Sequence, residues 1–315
     1  MKKIPVILNG DPGHDDAIAW VLAKASPMLN ILACTSACGN QTIEKTTYNS
    51  LRIMALIDLD VPFAQGLAKP LFAEPIVAPN VHGQSGLDGP KLPEPAIQPL
   101  KISAVELMAN ILETSSEPVT LVPTGPLTNI AALLLLYPHL KSRIAHISLM
   151  GGGLSTGNWT PAAEFNILVD PEAADIVFRS GVPITMAGLD VTNKALVFPG
   201  DFERIRALGN PVARVVADWL EFFYAFHRER GYPGAPMHDA VSVVALIKPE
   251  ILTMHDYHVE IETTGTYCRG MTIADHFRLR GGHAPNARVI TAIDRQAFVD
   301  LMVELIATYG EDRHE

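Results

Sequence analysis

The chain has 315 residues, 48% of them hydrophobic and 18% charged, which is enough for a sizeable core in one large domain or two small ones. A formal charge of −10 with no basic patch argues against a surface that tracks nucleic-acid phosphates; the densest basic run, "HRERG" at 227–231, carries a Glu. Three cysteines, Cys34, Cys38 and Cys268, make no paired framework and complete no zinc set, as expected in a reducing compartment. From the N-terminus, "IPVIL" (4–8) reads as a short buried strand and 14–25 as a helix. "NILACTS" (30–36) is the next strand, and 42–57 has helical spacing. Residues 65–100 break this rhythm with many Pro and Gly, and a loop that long inside a compact unit is usually functional. A helical pattern at 102–115, a strand at 118–123, a helix at 127–136, a strand at 145–151, a helix at 171–180 and a strand at 182–188 follow. The last third holds a long helix at 211–230, another from Asp239, a strand at 256–263 and a closing helix at 294–309.

Apolar strands alternating with helices imply a parallel sheet covered on both faces. The right-handed crossover rule then gives an α/β fold, an open and mainly parallel doubly wound sheet flanked by helices, expected as a single domain over 1–315. The apolar run after Lys3 ends at Asn9, too soon for a signal peptide, and "IAALLLLY" (130–137) falls far short of a bilayer span. A cytoplasmic protein with no membrane or nucleic-acid partner is expected.

The chemistry concentrates in "NGDPGHDDAIA" (9–19), where Asp11, Asp15 and Asp16 crowd the turn between the first strand and helix. In open α/β sheets that carboxyl edge is where ligands bind. One reading makes Asp15 and Asp16 helix-start residues favoured by the dipole, with Asp11 a turn former. The other places a hard divalent cation, calcium or magnesium, among three acids that otherwise repel one another. Three rival motifs fail on these residues. An EF-hand beginning at Asp11 would need Glu at its twelfth position, where Leu22 stands; a phosphate-cradling loop lacks its Lys; an aspartyl-phosphate enzyme would need Asp at position 9, which is Asn.

"GDPGHDDAIA" resembles the D-x-D-P-G-x-D-D fingerprint of the nucleoside hydrolases, which cleave the N-glycosidic bond of ribonucleosides. "SACGNQT" (36–42), "NVHGQSGLDGP" (80–90), "VPTGPLTNIA" (122–131), "LMGGG" (149–153), "GNWTPAAEFNILVDPEAA" (157–174) and "GAPMHDA" (234–240) resemble further segments of that family in the family's order. "PGHDD", "NVHG" and "GLDGP" are most similar to its bacterial pyrimidine-preferring members.

The resemblance implies Ca2+ held by Asp11, Asp16, the Thr124 carbonyl and Asp239, with Asp15 as the general base on the attacking water. It implies that Asn40, Asn158, Glu164 and Asn166 grip the sugar hydroxyls and that Met150 lies beside the ribose. His82 and His238 line the nucleobase side, with His238 expected among the catalytic residues. His227 and Arg230, shortly before the "HD" motif, are candidates to donate to a pyrimidine, although Arg230 reads equally as a solvated helix-end charge. Asp15 and Asp16, adjacent at a helix start, are expected to point apart. The family's turn usually begins with Asp where this chain has Asn9, which puts full activity in question. The implied activity is calcium-dependent hydrolysis of uridine or cytidine to ribose and base by a homotetramer or homodimer. Cleavage of a purine or other N-riboside, or a weakly active nucleoside-binding paralogue, are the alternatives.

Overall fold

The computed structural model describes residues 2–277, 279 and 282–310. Its first six strands are β1 (Ile4–Gly10), β2 (Leu29–Ser36), β3 (Phe63–Ala64), β4 (Val119–Pro123), β5 (Ile144–Met150) and β6 (Ile184–Ala187). After them come β7 (Leu196–Val197), β8 (Ala235–Pro236), β9 (Leu252–Tyr257), β10 (Val259–Ile261), β11 (Thr272–Ala274) and β12 (Ala287–Ile293). Eight of these form one sheet in the order β3-β2-β1-β4-β5-β6-β12-β9, and only β9 runs antiparallel to its neighbour. The pairs β7–β8 and β10–β11 are separate and antiparallel.

Chain order reverses between β1 and β4: the chain moves outward through β2 and β3, then returns and moves the other way through β5 and β6. Register places Gly10 beside Ser36 and Asn9 beside Pro123, so the turns after all three strands open at one edge. Such a reversal leaves a crevice at the carboxyl ends of the strands.

The helix after β1, α1 (His14–Ala25), is buried from His14 to Ala23 on every side. It lies between the sheet and an outer layer of helices, Pro211–Arg228, Ala240–Ile247 and Arg295–Ala307. A helix apolar all round is stable only when enclosed in this way. The opposite face of the sheet is covered by Ala104–Thr114, Thr128–Leu136 and Pro171–Phe178.

Two sequence expectations are corrected. The strand anticipated over 256–263 is two strands in different sheets, broken at His258, whose Nδ1 donates to the Ala284 carbonyl at 3.1 Å. β12 was not anticipated, because "ARVITAI" interrupts its apolar residues with Arg288 and Thr291; Arg288 faces out and pairs with Asp256 of β9 at 2.9 Å.

Candidate active site

At the switch point, Asp11 follows β1, Thr124 follows β4, and Asp15 and Asp16 occupy the first turn of α1. Asp239 immediately precedes the helix Ala240–Ile247, which packs on α1. All four carboxylates are buried. One oxygen from each of Asp15, Asp16 and Asp239 falls within a group 4.8 Å across, so adjacent Asp15 and Asp16 converge instead of pointing apart. The cause is local. Asp16 curls back to accept the Gly13 N–H at 3.1 Å, capping its own helix, and takes the Thr124 hydroxyl at 2.6 Å.

Asp11 lies alongside this trio. Its Oδ2 accepts the Asn40 N–H at 2.6 Å, and the Asn40 side-chain amide donates to Asp16 at 3.2 Å. Its Oδ1 is buried with no partner. Gly39 and Gly125 make room for that carboxylate, since a Cβ at either position would overlap it.

Burial, then mutual repulsion, drives these acids toward the neutral form. Asp15 is pushed up to about 8 by burial and then by Asp16. Asp11 and Asp239 are raised well above the ordinary range by burial first and neighbouring aspartates second. Burying one unpaired ion costs several kcal/mol, and no Lys or Arg pairs with any of the four among the described residues. Four carboxylates, one oxygen orphaned, and a backbone carbonyl at their side make an oxygen-only donor set that suits a hard divalent cation.

Above this floor opens a cavity of about 580 Å³. Every residue singled out from the sequence lines it except Asp11 and Asp16, which lie beneath. Glu164 caps the helix Phe165–Val169, taking the N–H groups of Gly152, Asn166 and Ile167, and burial raises it to about 7. The Asn166 amide donates to the Thr124 carbonyl at 2.8 Å and reaches the Met150 carbonyl at 3.3 Å. Asn158 accepts the Phe165 N–H at 2.9 Å.

The upper wall is largely aromatic, and its imidazoles are neutral. His82 is held far below the ordinary imidazole range by burial and the histidines around it, His227 is lowered to about 4 by burial, and His238 to about 3 by burial and then His227. The Nδ1 of His227 lies 2.9 Å from the Phe223 carbonyl. A carbonyl only accepts, so Nδ1 carries the hydrogen and Nε2 is left as an acceptor, the reverse of the donor expected from sequence. Arg230 is folded back: Nη1 donates to the Phe226 carbonyl at 2.9 Å and its guanidinium lies over the Phe226 ring, 3.4 Å from the centroid. Trp159, packed against Phe165 with centroids 4.9 Å apart, and Phe223 belong to the same wall and were missed. Phe223 has the spacing of a core position on its helix, and Trp159 is a single aromatic in an irregular loop.

Asn9 stands behind the site. Its Oδ1 accepts from the Thr35 hydroxyl at 3.0 Å and the Asn129 amide at 2.8 Å, and its Nδ2 is buried without a partner.

Comparison with known proteins agrees with this architecture. The model of the inosine-uridine preferring nucleoside hydrolases matches residues 6–300. Over 310 residues the chain is 55% identical to the pyrimidine-specific ribonucleoside hydrolase RihA of Escherichia coli O139:H28, covering 98% of this chain and 99% of the relative. The protein of the same description from Salmonella typhimurium is 54% identical over the same length. Among solved structures, a purine-preferring ribonucleoside hydrolase from Gardnerella vaginalis superposes with a TM-score of 0.90 at 31% identity, covering 97% of this chain and 98% of that one. The chain belongs to the inosine-uridine preferring nucleoside hydrolase family, enzymes that cleave the N-glycosidic bond of nucleosides.

Proposed function

We propose that the protein hydrolyses pyrimidine ribonucleosides, uridine or cytidine, to ribose and free base in a calcium-dependent reaction with Asp15 as general base. The observation that carries this reading is the set of four buried carboxylates, with no Lys or Arg paired to them among the described residues, on the floor of a cavity whose upper wall is largely aromatic. Its support for pyrimidines is the 55% identity to a protein described as pyrimidine-specific.

Asp11, Asp16, Asp239 and the Thr124 carbonyl would hold Ca2+. Bound there, the ion would acidify water, anchor the ribose diol and return the carboxylates to their ionised form. Asp15 then takes the proton from the water that attacks C1′, and the C1′–N bond breaks with its electron pair leaving on the base. The C1′ carbon that the base leaves gains positive character, which the carbonyl and carboxylate oxygens around it stabilise. Asn40, Asn158, Glu164 and Asn166 orient the sugar. His82 and His238 face the departing base. His238 is steadied by the Thr192 hydroxyl, 2.8 Å from its Nδ1. Being uncharged at neutral pH, it acts as a hydrogen-bond partner to the base.

Reducing sugar released from uridine is the test, measured with calcium, after EDTA, and after calcium is restored. Steady release that stops with chelation and returns with calcium is expected. A calcium-loaded protein that releases nothing from uridine or cytidine overturns the reading.

A further inference from the structure

The acidic turn also carries His14, completely buried and outside the cavity lining, a residue for which the reaction outlined above has no use. We propose that His14 is a positioning residue that clamps the Nδ1 edge of His82, so that the Nε2 edge is the one presented to the departing nucleobase. This rests on the reading of the cavity as a pyrimidine ribonucleoside site.

The geometry is specific. His14 Nε2 lies 2.8 Å from the Asp88 carbonyl, which only accepts, so Nε2 carries the hydrogen and the nitrogen left free on a neutral ring is Nδ1. That Nδ1 stands 3.2 Å from Nδ1 of His82. The ring centroids are 5.4 Å apart with planes 16° from parallel. The excess of centroid separation over nitrogen separation is what two ring radii take up. The rings therefore meet edge to edge in nearly one plane, as an N–H···N hydrogen bond requires.

The backbone N–H of His14 addresses the same His82 nitrogen at 3.3 Å. Because His14 Nδ1 is bare, the hydrogen between the rings is carried by His82 Nδ1, so His82 Nε2 is an acceptor and the one ring nitrogen left for a ligand. Phe222 lies parallel to His14 at 4.9 Å and Phe223 to His82 at 5.4 Å, which keeps the pair in plane. The turn is also bare where the imidazole rests: a Cβ on Gly13 would stand 2.5 Å from His82 Cε1 and Nδ1.

A pyrimidine edge carries N–H groups that an acceptor so aimed can hold, and misaiming it weakens binding more than it slows the chemistry. A 4-nitrophenyl group has no N–H to offer it. The test is therefore a pair of substrates, uridine and 4-nitrophenyl β-ribofuranoside, given to the calcium-loaded wild type, His14→Phe and His14→Asn. Phe keeps the aromatic packing and drops both ring nitrogens; Asn restores a polar atom near the place of Nδ1. The expected result for His14→Phe is a KM for uridine about 10-fold higher, with kcat and the nitrophenyl kinetics within about twofold of wild type. His14→Asn should regain part of the uridine loss. If wild type splits both substrates and His14→Phe loses both alike, or loses neither, the clamp is refuted while the ribonucleosidase reading stands. A wild type that splits the nitrophenyl riboside and no pyrimidine nucleoside overturns both.

Discussion

Asp15 has two partners for its charge, a proton or a cation, and its setting decides which. Burial and Asp16 raise its carboxyl to about 8, so at neutral pH the ion-free site favours the acid form and a bound cation favours the base. Asp15→Asn keeps the size and polarity but cannot accept a proton. A kcat lowered by roughly 10²- to 10⁴-fold with KM little changed is expected, the usual contribution of a positioned base. Calcium should still raise the melting temperature of the variant, because Asp11, Asp16 and Asp239 remain; loss of that shift would make Asp15 a ligand instead. Asn9 poses the converse case. Its carbonyl oxygen is fully engaged while its amide hydrogens meet nothing. Asn9→Asp retains both accepted bonds, removes the orphaned donor and adds negative charge two residues from Asp11. Titration calorimetry should find calcium bound more tightly than by wild type, and weaker binding would show that the substituted carboxyl enters protonated.

The elements that aim the site were legible to different degrees, for reasons of length. The turn between β1 and α1 could be read because an apolar run ends abruptly at three acids and a second run begins. The segment 65–100 could be recognised only as an irregular loop, because the helix it contains, Pro79–His82, is a single turn, too short for any period. What aims His82 is that turn together with Asp88. The Asp88 carboxylate accepts the N–H groups of Gln84 at 2.9 Å and Ser85 at 3.0 Å as well as the Ser85 hydroxyl, while its own carbonyl holds His14. Nothing in "HGQSGLDG" announces that convergence, since each partner is an ordinary turn residue. The Asp88→Ala variant should leave the half-buried Ser85 N–H unpaired and release the exposed Gln84 N–H to water, at a cost of about 1 kcal/mol. The expected outcome is a KM for uridine raised several-fold and faster proteolysis between 82 and 90, with little change in calcium affinity. Unaltered proteolysis and KM would show that the loop is held by other contacts.

Taken whole, the molecule closes a low-dielectric fold around four like charges, and its stability must register that. For a buried carboxylic acid the folded protein binds the proton more tightly than the unfolded chain does. The stability it contributes is complete below the unfolded pKa and is lost as pH rises through the folded one. The depressed imidazoles of His14, His82, His227 and His238 act in the opposite sense, costing stability as pH falls below about 6.5, and are neutral in both states above it. Between pH 6.5 and 8 the groups that matter are therefore the buried acids, Asp15 at about 8 and Glu164 at about 7, with Asp11 and Asp239 held well above the ordinary range. Each proton the folded state must give up costs about 1.4 kcal/mol per pH unit. EDTA-treated protein should accordingly melt at progressively lower temperature as pH rises through this window. With excess calcium the aspartates are already ionised and neutralised and only Glu164 still slopes the curve, so the gap between the two melting temperatures widens with pH. Sodium chloride at equal ionic strength should not substitute, because buried charges are poorly screened by mobile ions. If the chelated protein loses no more stability across the window than the calcium-loaded protein does, Asp11, Asp15 and Asp239 do not hold protons when the ion is absent, and the balance argued for the floor of the cavity is wrong.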